Sequence, residues 1–286
     1  MKCCFASDLH GHPSHYEELL NLAKREKADA VILGGDLLPR KGHHPASLER
    51  QRTFVREEFR NFSLRLAEIT GVSLYAILGN DDWAGTVPLF HELESEGLIR
   101  MLDDRPTVLQ DRAILTGYSY VPPTPFLLKD FEKRDMKDDP GPNGLRRIYI
   151  TRNGRVEETD EKAFFEGRSS IQEDLLAGWN PSPDRPSIRV MHGPPFGTAL
   201  DRLYDGRSAG SRAVRECILK TQPLLTLHGH IHESPAVSGT FVERIGETLS
   251  VNAGQTGDGL SAVTFDPDRL DKTLKHTLYG FSPLTA

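Results

Sequence analysis

Residues 224–232 read Leu224-Leu225-Thr226-Leu227-His228-Gly229-His230-Ile231-His232, an apolar run of strand length that ends in three histidines within five residues. A run this short, without a helical period, has the pattern of a buried parallel strand. Gly229 lets the backbone turn sharply just past it. His230 and His232 then fall on a loop at the strand's C-terminal end, where alternate residues reach two neighbouring points. Imidazole is the commonest metal ligand, so His-x-His on a glycine turn reads as part of a metal site that needs partners.

Those partners stand at the ends of other short apolar runs. Cys3-Cys4-Phe5-Ala6-Ser7 leads into Asp8-Leu9-His10-Gly11-His12, an acid and an imidazole two residues apart. Ala30-Val31-Ile32-Leu33 ends in Gly34-Gly35-Asp36, Ser73 to Leu78 in Gly79-Asn80-Asp81-Asp82, and Ser187 to Met191 in His192-Gly193-Pro194-Pro195. Open α/β sheets form their sites at the carboxyl ends of strands, so these loops are expected to converge.

Helices connect the strands. After Pro13, the spacing of Ser14 and Glu17 predicts a capping box, and Tyr16, Leu19, Leu20 and Ala23 repeat on one face. A loop from Leu37 to Pro45 carries Arg40, Lys41, His43 and His44. Beyond it Val55, Phe59, Phe62, Leu66 and Ile69 form a core-packing stripe. A short helix over Pro88 to Glu96 and brief strands at Thr107 to Leu109 and Ala113 to Thr116 follow. From Tyr118 to Pro186 the chain is rich in Pro, Gly and charge, which predicts an excursion from the main fold, read as a lid. It includes a hairpin turning at Asn153-Gly154. Arg146, Arg147, Arg152 and Arg155 lie on or beside that hairpin, to meet an anionic substrate or to guard a solvated edge. A helix around Ala213 to Leu219 turns Val214, Cys217 and Ile218 inward. Segments at Thr240 to Ile245, Thr248 to Asn252, Leu260 to Phe265 and Lys275 to Tyr279 read as antiparallel strands of a second sheet.

Composition narrows the function. A chain of 286 residues suits one large α/β domain over residues 1–286, with two small ones as the alternative. With 35 basic and 41 acidic residues the net charge is −6, which disfavours nucleic acid and anionic membranes as partners. The three cysteines, Cys3, Cys4 and Cys217, form no spaced framework, and Cys3 and Cys4 point to opposite strand faces. Free cysteines, too few apolar residues before Asp8 for a signal peptide, and no run near the roughly 20 residues of a membrane span lead to the expectation of a cytoplasmic protein.

Asp8-x-His10, Gly35-Asp36, Gly79-Asn80, His192 and Gly229-His230-x-His232, in that order, resemble the five signatures of the calcineurin-like metallophosphoesterase superfamily. The resemblance spans nearly the whole chain. It implies a four-layer α-β-β-α sandwich, two facing mixed sheets between helices, with a dinuclear metal site at the strand C-terminal ends. One ion would take Asp8, His10, Asp36 and His232, the other Asp36, Asn80, His192 and His230, with Asp36 as the bridge. Two such cations about 3.5–4 Å apart clamp a phosphate and supply a bridging hydroxide for in-line attack. Oxygen donors mixed with imidazole, without thiolate, suit Mn²⁺, with Fe or Zn²⁺ as alternatives.

One position departs from the family pattern. Many members follow Gly-Asn with a histidine that protonates the leaving oxygen and an acid that orients it; here Asp81 and Asp82 stand in those places. In this the chain resembles members that carry another residue at this position and favour phosphodiesters. The expected function is therefore hydrolysis of small phosphodiesters, with Asp81 and Asp82 as catalytic residues and Asn80, His43 and His44 contacting substrate. A phosphomonoesterase is the close alternative, and a nuclease or a non-catalytic scaffold the remoter ones.

Overall fold

Short runs of residues buried on both faces form strands here because longer amphipathic segments cover them from outside. The computed structural model describes residues 1–40, 45–69, 71–102, 105–141, 146–178 and 185–282. The strands are β1 (Cys3–Ala6), β2 (Ala30–Gly34), β3 (Ser73–Ile77), β4 (Arg100–Met101), β5 (Thr107–Leu109), β6 (Ala113–Tyr118), β7 (Arg147–Arg152), β8 (Arg155–Asp160), β9 (Ser187–Met191), β10 (Leu225–His228), β11 (Val242–Ile245), β12 (Thr248–Asn252), β13 (Ala262–Phe265), β14 (Lys275–His276) and β15 (Gly280–Phe281). One sheet runs β15-β14-β13-β1-β2-β3-β4 and the other β11-β12-β10-β9-β6-β5, while β7 and β8 form a separate hairpin. In the first sheet β1 to β4 are parallel up to the β4 edge, with antiparallel strands added beyond β1; in the second, β6, β9, β10 and β12 form a parallel centre flanked by antiparallel β5 and β11.

Alternation along the strands builds the layers. Cys3 and Phe5 face the second sheet and pack with Ile32, Leu115, Val190 and Leu227, whereas Cys4 and Ala6 face the helices. The two adjacent cysteines do point to opposite faces. The first sheet is covered by α1 (Pro13–Glu26), α2 (Pro45–Phe54), α3 (Arg60–Ala67) and α4 (Val87–Ser95), with one π-helical turn at Val55–Phe59 between α2 and α3. Past α5 (Glu161–Phe165), α6 (Ile171–Ala177) and α7 (Arg212–Thr221) cover the second sheet through Ile171, Leu175, Val214 and Ile218. The result is the expected four-layer sandwich.

Three local expectations need correction. α1 begins at Pro13 with His12 in the cap position and no side-chain cap, so the Ser14–Glu17 box does not form; proline at the first turn sets the start instead. Glu17 pairs with Arg65. The C-terminal strands do not share one sheet: β11 and β12 extend the second, while β13 pairs antiparallel with β1 and brings β14 and β15 into the first. Strand pattern cannot separate these outcomes, because Leu249 and Val263 are both buried in the same inter-sheet core. Finally, the stretch read as an excursion is not all peripheral, since α6 belongs to the outer helix layer.

Phe59 closes the outer core of the first sheet. It is 0% exposed and meets the rings of Tyr16, Phe62 and Phe90 at 5.1–6.0 Å between centroids. Phe59→Ala leaves a cavity among rings held by both α1 and α4, so denaturant unfolding should show a loss of about 3–5 kcal/mol. A loss under about 1 kcal/mol would contradict this packing.

Candidate metal centre

The carboxyl ends of β1, β2 and β3 in one sheet meet those of β9 and β10 in the other, and backbone hydrogen bonds hold the loops side by side. Asp8 N donates to Gly35 O at 2.9 Å, His10 N to Asp36 O at 2.9 Å, and Gly229 N to His192 O at 3.0 Å. Asp8, His10, Asp36 and His230 all adopt positive φ, from 44° to 66°. Aspartate and histidine tolerate that region better than most residues, yet each such residue costs of order 1–3 kcal/mol and persists only where its surroundings impose it.

Gly229 serves differently from the expected sharp turn. Its φ is not positive; His230 makes the left-handed step. What glycine permits is approach, because a Cβ here would lie 1.9 Å from Ser7 Oγ and 2.4 Å from Asp8 Oδ2. The two sheets therefore touch at the point where Asp8 accepts a hydrogen bond from His230 N at 3.1 Å.

Two groups of ligand-type atoms result. In the first, one ligand atom each of Asp8, His10, Asp36 and His232 lies within 4.8 Å of the others. His10 Nε2 and His232 Nε2 are 3.2 Å apart, and His232 Nε2 is 3.1 Å from Asp8 Oδ1. Two imidazoles bound to a common ion at about 2.0–2.1 Å each would be about 3 Å apart, so this spacing fits. In the second group, His192 Nε2 lies 3.3 Å from Asp36 Oδ2 and 3.2 Å from Asn80 Oδ1. His192 Nδ1 is 2.8 Å from the Gly34 carbonyl, which it can approach only as a donor. That contact leaves Nε2 free to ligate, the outer-shell arrangement that metal-binding histidines use. The His230 ring is 5.4 Å from that of His192. Asp36 belongs to both groups.

Electrostatics follow from this crowding. Burial by itself would raise Asp8 and Asp36, but the imidazoles of His232 and His192 outweigh it, holding Asp8 at about 2 and Asp36 well below the ordinary carboxylate range. Conversely, burial would lower His192, and the Asp36 carboxylate raises it to about 10. Burial brings His10 to about 4 and His230 to about 3, which keeps both neutral, the form that ligates. His10 Nδ1 is buried with no hydrogen-bond partner among the described residues. Hard oxygens, the neutral imidazoles of His10 and His230, and buried ionised carboxylates together fit divalent cations.

The remaining expected residues divide. Asp81 is at the site: its N–H donates to Asp36 Oδ1 at 2.8 Å, and its Oδ2 is 2.9 Å from Arg40 Nε. Burial, then the Asp36 charge, push its carboxyl up to about 7. Asp82 is turned to the backbone. It is 0% exposed, and its oxygens accept backbone N–H groups of Leu37 at 3.2 Å, Leu38 at 2.9 Å and Gly79 at 2.9 Å. His43 and His44 lie outside the described residues. His228, the first of the opening three histidines, is fixed by Met191 O, Gly193 O and Thr226 Oγ1 within β10 and its neighbours. On the hairpin, Arg147 pairs with Glu158 and Arg152 with Glu157, while Arg146, just before β7, donates to Pro125 O on the stretch after β6.

Two residues had no role assigned from the sequence, Arg40, named only as part of the loop after β2, and Gln51. Arg40 lines a cavity of about 850 Å³ with Asp8, His10, His12, His232 and Gln255. Gln51, 1% exposed, donates to Asp81 O at 2.8 Å and Pro39 O at 3.2 Å and accepts from Trp83 N at 2.8 Å, tying together the loops after β2 and β3. A signal existed for it. Gln51 stands one turn before Val55 in the apolar stripe, and a polar residue in a buried stripe needs a partner.

The family model for calcineurin-like phosphoesterases matches residues 1–234, which include every ligand-type residue named above. No curated protein matches the chain. Among solved structures, TT1561 of Thermus thermophilus aligns at a TM-score of 0.61 and 19% identity, covering 96% of this chain and 97% of that one. A dimetal phosphatase from Danio rerio aligns at a TM-score of 0.49 and 11% identity, covering 92% and 91%. At such identities the likenesses concern the fold alone. With the family match spanning all five strand-end loops, the chain belongs to the calcineurin-like phosphoesterase family and is a metal-dependent phosphoric ester hydrolase.

Proposed function

We propose that this chain hydrolyses small phosphodiesters at a centre of two divalent ions, Mn²⁺ first among them, held by Asp8, His10, Asp36 and His232 on one side and by Asp36, Asn80, His192 and His230 on the other. The observation that carries the reading is the position of Asp36, 4.0 Å from His10 Nε2 through the same Oδ2 that lies 3.3 Å from His192 Nε2. When bound, the ions offset phosphate charge and activate water. The chain's own residues set the geometry. His192 is oriented by the Gly34 carbonyl, and Asp36 by the Asp81 N–H.

The preference for diesters rests on Asp81. The family histidine that protonates a leaving group is replaced by a carboxylate whose Oδ2 is engaged by Arg40. A carboxylate in the place of that imidazole repels a dianionic monoester more than a monoanionic diester, whatever Arg40 contributes to both. Asp82 acts as an anchor for the loops after β2 and β3 rather than on substrate, and Asn80 meets substrate as well as metal. A phosphomonoesterase is the competing reading, and a panel of matched monoesters and diesters in Mn²⁺ separates the two. Monoester turnover exceeding diester turnover would overturn the preference.

Asp36→Asn removes the charge shared by both ligand groups while conserving volume. It should cut turnover by more than the roughly 10–100-fold typical of outer-shell partners, with a native fold by circular dichroism and fewer than two metals bound. Full activity with two metals would exclude Asp36 as the bridge. Asp82→Asn turns an amide N–H₂ towards a backbone N–H, so it should cost about 1–3 kcal/mol in thermal unfolding while metal content persists. Lost turnover at unchanged stability would instead place Asp82 at the reacting atoms. Asp81→His adds a donor and removes a negative charge, and should shift kcat/KM towards unactivated monoesters relative to diesters. A ratio that stays put would move Asp81 off the leaving-group side.

A further inference from the structure

Arg40 is gripped from two directions. Its Nε is 2.9 Å from Asp81 Oδ2, and its Cζ lies 5.0 Å from the centroid of the Phe126 ring. The pair with Asp81 is made at Nε, on the side of the guanidinium away from its Nη1–Nη2 edge. A guanidinium with one edge paired and one face covered has a fixed plane, and its remaining edge matches two oxygens of a phosphate.

Phe126 comes from the stretch after β6, far from Arg40 in sequence, and the loop that carries it is fastened from beneath. Lys129 and Glu132, both 0% exposed, form an ion pair at 2.7 Å, and Lys129 Nζ also donates to Thr124 O at 2.7 Å. Glu132 accepts from Thr124 N at 2.8 Å and from Thr124 Oγ1 at 2.5 Å, and Phe126 N in turn donates to Thr124 Oγ1 at 3.2 Å. A lysine and a glutamate so deeply buried are costly unless fully partnered. Here their partners are the backbone and hydroxyl two residues before Phe126. The ring itself is 37% exposed, so it adds little to the core.

We infer that Phe126 is a positioning residue for phosphoester binding: by covering one face of Arg40 it holds the guanidinium at the mouth of the metal centre, and the Lys129–Glu132 pair holds Phe126. The stretch after β6 is thereby a working wall of the site through this one contact, rather than through the hairpin arginines. The inference rests on the hydrolase reading above for its substrate, but its geometry concerns anion binding and is tested separately from turnover.

The test is a double-mutant cycle on the full-length, Mn²⁺-loaded protein, with inorganic phosphate as the probe and calorimetry as the readout. Phe126→Ala should weaken phosphate binding about 3- to 10-fold, the range of a partly shielded cation–π contact, with metal content and melting temperature unchanged. Phe126→Tyr should recover the wild-type affinity to within about twofold, because the ring is kept. Arg40→Ala should weaken binding at least as much as Phe126→Ala, and adding Phe126→Ala to it should change nothing further. In turnover, Phe126→Ala should raise KM by the same factor at constant kcat. Equal losses from Phe126→Ala in both backgrounds, or none in either, would overturn the inference. Wild-type protein that binds phosphate yet hydrolyses no ester would sink the hydrolase reading, while the binding cycle would still decide the role of Phe126.

Discussion

Two carboxylates that cannot both be buried without compensation, Asp8 at 0% and Asp36 at 2% exposure, stand at the ends of adjacent parallel strands. An isolated buried carboxylate is expensive, and two side by side more so. Their neighbours are arranged to offset that charge: His232 beside Asp8, His192 and His10 beside Asp36, and backbone N–H groups of His230 and Asp81 aimed at them. Imidazoles and amides offset it in part, and divalent cations would complete the balance. The strained backbone at Asp8, His10, Asp36 and His230 fits the same account, because those dihedrals aim side chains at a common point that relaxed strand ends would miss.

That convergence requires two sheets to touch at their carboxyl ends, and the sandwich provides it. The inter-sheet core of Phe5, Ile32, Leu227 and Val251 sets the separation along the strands. Gly229 lets it close to contact at the end, where any side chain would strike Ser7 and Asp8. His192 then crosses from the second sheet to the Gly34 carbonyl of the first. Metal site and fold are thus parts of one construction. Buried polar anchors, Gln51 and Asp82 above all, hold the loops between strand and ligand in place of apolar packing.

The ligand-type residues were legible in the sequence because each follows a short apolar run directly, and strand ends are where α/β sheets gather function. The resemblance to five ordered family signatures added the pairing of residues with ions, which spacing alone does not give. Other features lay beyond the sequence. The split of the C-terminal strands between two sheets depends on which edge is open after the core forms, and β13 finds β1 only in three dimensions. Asp82 looked like Asp81 in sequence, yet one engages three backbone N–H groups and the other Arg40. The meeting of Phe126 with Arg40 joins segments with no shared pattern. Gln51 carried a signal that was passed over, a polar residue one turn before the apolar stripe that begins at Val55.

The central claim, that Asp36 joins two ions into one centre, is open to direct observation. Crystals grown with Mn²⁺ and measured at the manganese absorption edge should show two anomalous peaks about 3.5–4 Å apart, with the Asp36 carboxylate contacting both. A single peak, or two peaks of which only one meets Asp36, would contradict it.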